Sequence, residues 1–268
     1  MNDPQQETSV SRAFSRQSIV FDAIDDANLI IGWVRNRVRN EVSRFIKPNS
    51  SILELNCGTG IDSIYFAQKG HQVLATDNAE GMLIALNNKA AKLAVHNVQT
   101  QKCSFNNLEY LGNRQFDYIF SNFGGLNCTD NLEKVLHDME KLLKPGGHFS
   151  LVIMPKICPW EIVMALKGKF KTAFRRFNTS ADAHIEGVHF KCYYYNPSYI
   201  KKILQNCFEL KSVKGLSITT PPPFVEYFIE RHPKAFRILE QMENLVCDKW
   251  PFYATADHYI ITMQKKPM

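Results

Sequence analysis

The sequence predicts an α/β domain built on a mostly parallel sheet with helices on both faces. Three observations carry that reading. Between Ser51 and Met154, short apolar segments of strand length alternate with segments of helical period. A glycine turn, Asn56 to Gly60, joins the first apolar segment to the helix that follows it. An acid, Asp77, closes the second apolar segment, completing a βαβ unit whose crossover returns the chain to a parallel neighbour.

The elements follow in order. Met1 to Thr8 is polar. Ile31, Val34, Val38, Val42 and Phe45 then recur at helical spacing while Arg35, Arg37, Arg39 and Arg44 take the remaining faces, predicting an amphipathic helix that ends before Pro48 with its arginines in water. Ser51 to Leu55 reads as strand, Ile61 to Lys69 as helix and Gln72 to Thr76 as strand. A helix from Ala79 to about Ala94 leads to strands near Val98 to Cys103 and at Phe116 to Ser121. Asp130 and Glu133 are spaced as a reciprocal cap for a helix whose Leu132, Val135, Leu136, Met139, Leu142 and Leu143 form one apolar stripe. That helix stops at Lys144-Pro145-Gly146-Gly147, and His148 to Met154 is the fifth strand.

The alternation breaks over 156–195, resumes with a helix from Pro197 to Cys207 and a strand from Phe208 to about Gly215, breaks again over 216–254, and ends in a strand from Asp257 to Gln264. Long insertions in compact domains are usually functional. These two predict a lid over the carboxyl ends of the strands, where ligands of such sheets bind. The expected organisation is a polar segment and lid helix over 1–28, a Rossmann-like core over 29–155, a first lid insertion over 156–195, and a completion of the core over 196–268 that carries the second insertion.

Composition narrows the function classes. With 268 residues, 45% hydrophobic and 22% charged, the chain can bury one full α/β core and decorate it. No apolar run approaches the roughly 18 residues of a membrane span, and no basic segment followed by an apolar one opens the chain, so a cytoplasmic protein is expected. Seven cysteines without a C-x-x-C pair suggest reduced thiols rather than disulfides or a metal site. A net charge of +6 is weak for a protein that grips duplex nucleic acid.

The sharpest local pattern is Ile52-Leu53-Glu54-Leu55-Asn56-Cys57-Gly58-Thr59-Gly60 with Asp77 beyond it. Glycines there let the backbone approach a nucleoside, and a carboxylate about twenty residues later can accept both ribose hydroxyls. A nicotinamide fingerprint would carry glycine or alanine three positions after Gly60; this chain has Ser63, and places an acid, Glu54, before the turn, which suits a cationic amino acid tail better than a pyrophosphate. A plain tight turn, with Asp77 as a helix cap, is the structural alternative at each position.

Here the chain resembles the class I S-adenosylmethionine-dependent methyltransferases, particularly small-molecule enzymes such as the quinone and malonyl-carrier-protein methyltransferases. The similarity runs from about Ala13 to Met154 and rests on Ala13-Phe14, Phe21-Asp22, the glycine turn, Asp77 with Met82-Leu83, Phe116-Asp117-Tyr118-Ile119 and Leu142-Leu143-Lys144-Pro145-Gly146-Gly147. It implies a Rossmann-like, seven-stranded sheet and S-adenosyl-L-methionine as cofactor. It further implies that Glu54 and the backbone of Asn56, Cys57, Gly58, Thr59 and Gly60 hold the methionine portion and Asp77 the ribose. By the same resemblance Asn78 and Met82 take the adenine side, while Ser121, Asn122 and Phe123 line the sulfonium and methyl group. Two positions depart from the family: Phe21 stands where tyrosine is common, and Ser104, before Phe105, where an aspartate touches the adenine amino group.

Methyl transfer from a sulfonium is an in-line displacement, so alignment can supply most of the catalysis, and a base is needed only for a nucleophile that keeps its proton. His189 is the candidate base, with Tyr193, Tyr194 and Tyr195 as neighbouring wall. Asn122-Phe123-Gly124-Gly125 lacks the Asn/Asp-Pro-Pro-Tyr/Phe motif of amino-directed nucleic-acid methyltransferases, which argues against nucleic acid as acceptor. The aromatic content of both insertions (Trp160, Phe170, Phe174, Tyr193, Phe224, Tyr227, Phe228, Trp250, Phe252) favours O- or C-methylation of a hydrophobic small molecule, free or linked to lipid or carrier. Segment 160–177, where lysines and arginines interleave with phenylalanines, would suit an acidic carrier protein or a membrane surface. An RNA or protein methyltransferase, or a protein that binds the cofactor without turnover, are the readings left open.

Overall fold

The computed structural model describes residues 4–267, so the first three residues of the expected polar segment lie outside the description. The chain begins with α1 (Pro4–Gln17), α2 (Phe21–Ala27) and α3 (Leu29–Val42). There follow β1 (Ser51–Leu55), α4 (Ile61–Gln68), β2 (Gln72–Asp77), α5 (Glu80–Lys92), β3 (Val98–Lys102) and β4 (Phe116–Ser121). Next come α6 (Leu132–Leu142), β5 (Leu143–Ile153), α7 (Pro159–Val163), α8 (Phe170–Phe174), β6 (Ser180–Ile185) and β7 (Val188–Tyr193). The last elements are α9 (Pro197–Leu204), β8 (Phe208–Leu216), α10 (Phe228–Arg231), α11 (Pro233–Val246) and β9 (His258–Lys265).

Seven strands form one sheet in the order β3-β2-β1-β4-β5-β9-β8. The first five are parallel, and β9 runs antiparallel to both of its neighbours. Strand periodicity sorts the core. Leu53, Ile119 and Phe149 point to one face, where the α6 stripe (Leu132, Val135, Leu136, Met139) and Ile200 with Leu204 of α9 cover them. Ile52, Tyr118 and Phe120 point to the other, under Val34, Val38 and Val42 of α3 and Leu83 and Leu86 of α5. Strands buried on both faces explain why these segments read as continuous apolar runs. Each fully buried leucine of the α6 stripe contributes roughly 2 kcal/mol of transfer free energy.

Two sequence expectations are corrected. Asn131, not the Asp130/Glu133 pair, caps α6, its side chain accepting from the Lys134 amide at 3.4 Å. The arginines of α3 do not all face water: Arg35 is buried between Asp25 and Asp62, and Arg39 donates to Asp62 at 2.7 Å. Their partners sit on α2 and on the first turn of α4, a tertiary arrangement that helical spacing alone does not reveal. Within the first insertion, β6 and β7 pair as a separate antiparallel hairpin.

The N-terminal helix closes over this frame. Gln6 pairs with the Lys191 backbone of β7 through bonds of 2.7 and 2.8 Å. On α5, Gly81 lets α1 approach backbone to backbone, since a Cβ there would stand 2.6 Å from the Ser15 carbonyl oxygen.

Candidate active site

The turn after β1 is held by its glycines and by Asp77. Asn56, Gly58 and Gly60 have φ of 47°, 56° and 77°, and a Cβ on Gly60 would lie 2.0 Å from Leu86 Cδ1. The Cys57 amide donates to the Thr76 carbonyl at 3.0 Å. Asp77 accepts from the Gly58 amide at 2.9 Å and from the Ala79 amide at 2.8 Å, so it both caps α5 and fastens the turn. Burial raises its pKa while the surrounding backbone amides oppose the rise. A carboxylate has room for about four hydrogen bonds, which leaves acceptor capacity for a ligand.

The turn after β4 is wired to the first. Ser121 Oγ donates to Asn56 Oδ1 at 2.6 Å, and Asn56 Nδ2 donates to the Asn122 carbonyl at 3.2 Å. Asn122 Nδ2 in turn donates to Asp62 at 2.8 Å. Phe123 is held at φ 49°, and the Arg35 guanidinium lies 4.6 Å from its ring centroid. Gly125 is required here, because a Cβ would stand 2.4 Å from the Asn56 amide.

Asn56, Gly58, Asp77, Asn78, Met82, Ser104, Phe105, Asn122 and Phe123 are brought together around one cavity. Glu54, Cys57, Thr59, Gly60 and Ser121 are not among its lining residues. Glu54 lies buried beneath the turn, where it accepts from Ser63 Oγ; burial, and then Asp62, push its carboxyl up to about 8. Thr59 faces the N-terminal segment, its hydroxyl donating to Asp22 at 2.5 Å, and Lys89 pairs with the same carboxylate. His189 stays outside. On β7, Val188 and Phe190 point inward, so alternation turns His189 out to solvent against the His184 ring, 4.4 Å away between centroids.

The structure adds residues the sequence reading missed. Gln6, Glu7, Val10 and Ser11 of α1, beside the already named Phe14, roof the cavity, and Ser11 Oγ donates to the Asn78 carbonyl at 2.9 Å. Ser104 caps the 3-10 turn at Phe105–Leu111 by accepting from the Asn106 amide at 3.1 Å, and Asn106 Oδ1, in the cavity wall, is buried without a partner. Such an orphaned acceptor fits a ligand amino group. The lining includes three acids, Glu7, Asp77 and Asp130, and no lysine or arginine. That balance suits a nucleoside with a cationic tail and disfavours a pyrophosphate.

On the far side of Phe123 stands His258, at the start of β9, with ring centroids 6.4 Å apart. Asp257 holds its Nδ1 at 2.9 Å, and a Cβ on Gly124 would stand 3.2 Å from its Nε2. Burial alone would raise the Asp257 carboxyl, but His258 and Arg176 outweigh it and hold it below the usual range. Cys158, Glu161 and Asp257 converge as metal-type ligands, yet Arg176 bridges the two carboxylates at 2.7 and 2.8 Å, a cation already in the place an ion would take.

Comparison with known proteins agrees with this geometry. Residues 52–147 match the family model described as a methyltransferase domain. The demethylmenaquinone methyltransferase of Listeria monocytogenes is 28% identical over 183 residues, covering 61% of this chain and 74% of the relative. Among solved structures, the 1,6-didemethyltoxoflavin-N1-methyltransferase of Burkholderia thailandensis, holding S-adenosylhomocysteine, superposes with a TM-score of 0.59 at 14% identity over 99% of this chain and 92% of that one. An S-adenosylmethionine-dependent methyltransferase from Methanosarcina mazei gives 0.58 at 14% identity over 85% and 97%.

Proposed function

The chain carries a class I, S-adenosylmethionine-dependent methyltransferase domain, and from that premise we propose that it methylates a hydrophobic small molecule at oxygen or carbon. The observation that carries the reading is the cavity itself, with acids and no cation on its walls and apolar side chains (Val10, Phe14, Phe21, Met82, Phe105, Phe123) over most of the remainder. The cofactor supplies a methyl group already activated on a sulfonium. Asp77 is assigned to the ribose hydroxyls and the orphaned Asn106 Oδ1 to the adenine amino group. The Asn56–Ser121–Asn122 bonds fix the position of Phe123, and α1 excludes water from above. The acceptor is assigned to the part of the cavity beside Phe123, and His258, which stands behind that ring outside the cavity lining and is oriented by Asp257, is the group assigned to take a proton from a hydroxyl or an activated ring carbon.

The names of the curated relatives make reduced demethylmenaquinone the first acceptor to assay. The seven cysteines, all free thiols and mostly buried, support a cytoplasmic setting. The test is incubation with methyl-labelled S-adenosylmethionine and a panel of hydrophobic phenols and quinols beside RNA and protein fractions. Label in the organic phase is expected. Label confined to RNA or protein contradicts the reading.

A further inference from the structure

We propose that residues 163–177 form a docking knob for an anionic lipid surface, which deepens the hydrophobic-acceptor reading by naming where the enzyme meets its substrate. The segment leaves the sheet after the carboxyl end of β5, and the cavity lies at the carboxyl ends of β1, β2 and β4. It carries five exposed apolar side chains: Leu166 is 87% exposed, Phe170 61%, Phe177 59%, Val163 49% and Phe174 48%. Between them stand Lys167, Lys169 and Lys171, all exposed, and none forms a salt bridge among the described residues. No Asp or Glu occurs between Glu161 and Asp182.

The knob is held, not loose. Glu161 is buried and takes both Arg175, through Nε at 2.7 Å, and Arg176, through Nε at 2.9 Å. Arg176 also reaches Asp257, and Trp160 Nε1 donates to the Ile218 carbonyl at 3.0 Å. Two arginines are thus consumed as anchors and three lysines are left outside without a salt bridge among the described residues, Lys171 feeling Asp182, which is already paired with Lys191. A charged core would have neutralised them, and a solvated face would not carry five large apolar side chains.

Charge complementarity selects an anionic partner, and the mixing selects lipid over protein. Lysine is depleted from protein interfaces because desolvating an ammonium is costly. At a bilayer the apolar tips enter the acyl boundary while lysine stems run up to the headgroups, so the two residue types cooperate at one spot. Each lysine near such a surface strengthens binding about fivefold.

The full-length protein, without cofactor or acceptor, would be sedimented with vesicles of phosphatidylcholine alone and of phosphatidylcholine with phosphatidylglycerol, at low and at high salt. Binding to the anionic vesicles is expected, roughly tenfold or more above the neutral ones and weakened by salt. The triple variant Lys167→Ala, Lys169→Ala, Lys171→Ala should lose about a hundredfold, and Leu166→Ala with Phe170→Ala at least tenfold, while both keep the parent's melting temperature and its S-adenosylhomocysteine affinity. Vesicle binding that is absent, indifferent to phosphatidylglycerol, or unchanged in both variants overturns the proposal. So does capture of the segment by an acidic carrier protein with no affinity for vesicles. Because no methyl transfer is read, the outcome is separate from the fate of the acceptor assignment.

Discussion

The glycine turn and the lid, whose cavity-facing part is α1 rather than either insertion, enclose the same cavity but are built on opposite principles. In the turn, short bonds come first, Gly58 to Asp77 across 19 positions and Ser63 to Glu54 across 9, and Asn56 then ties it to Ser121 across 65. In the lid the bonds join residues at opposite ends of the domain, Gln6 to Lys191 across 185 positions and Gln6 to Cys128 across 122. The turn is fixed mainly by the strands on either side of it, whereas the lid holds only while distant elements stay packed. A cofactor site that must admit and release its ligand needs both.

The comparison breaks most visibly at Gly60. Alanine there would meet Leu86 and strain a φ of 77°, so Gly60→Ala should cost about 2 to 4 kcal/mol in denaturant unfolding. A loss near zero would mean the turn is looser than its geometry indicates. His258 belongs to both regions, carried by a core strand yet oriented through Asp257 by Arg176 of the lid. With an accepted acceptor in hand, His258→Asn should lower kcat roughly a hundredfold and leave donor affinity unchanged. An equal loss of donor affinity would instead assign it to the cofactor side.

Gly81→Ala probes the lid alone. Its Cβ would meet the Ser15 carbonyl, so α1 should lift, with faster amide exchange over residues 4–17 and a global loss of only about 1 kcal/mol. Unchanged exchange there would show that α1 is not held by this contact. Glu54, beneath the turn, is read through pH. Its folded pKa is raised to about 8 by burial and by Asp62, so the stability it contributes is present below its unfolded value near 4.5 and is lost as pH rises through 8. Melting temperatures of the parent should fall over that window, and Glu54→Gln should flatten the fall.

This division also explains what the sequence disclosed. The apolar strands, the α6 stripe and the Asn56–Gly60 turn were legible because each is written in residues a few positions apart. Arg35 was not, because its burial depends on Asp25 and Asp62 meeting it from two other helices. His189 lies on a lid strand whose inner face is taken by Val188 and Phe190, and residue type and neighbourhood do not say which face of a strand a residue takes. Asn106, two residues from Ser104, and His258 carry no local pattern, and only the fold buries Asn106 Oδ1 in the cavity wall and sets His258 beside Phe123.

The central claim is the cofactor, and calorimetric titration tests it most directly. The purified protein would be titrated with S-adenosylmethionine, S-adenosylhomocysteine and NAD, then again as the Asp77→Ala variant after circular dichroism has confirmed its fold. The account predicts binding of the two sulfur nucleosides and not of NAD, weakened roughly tenfold or more in the variant as hydrogen bonds to a buried carboxylate are lost. Binding of NAD, or of none of the three, would contradict it.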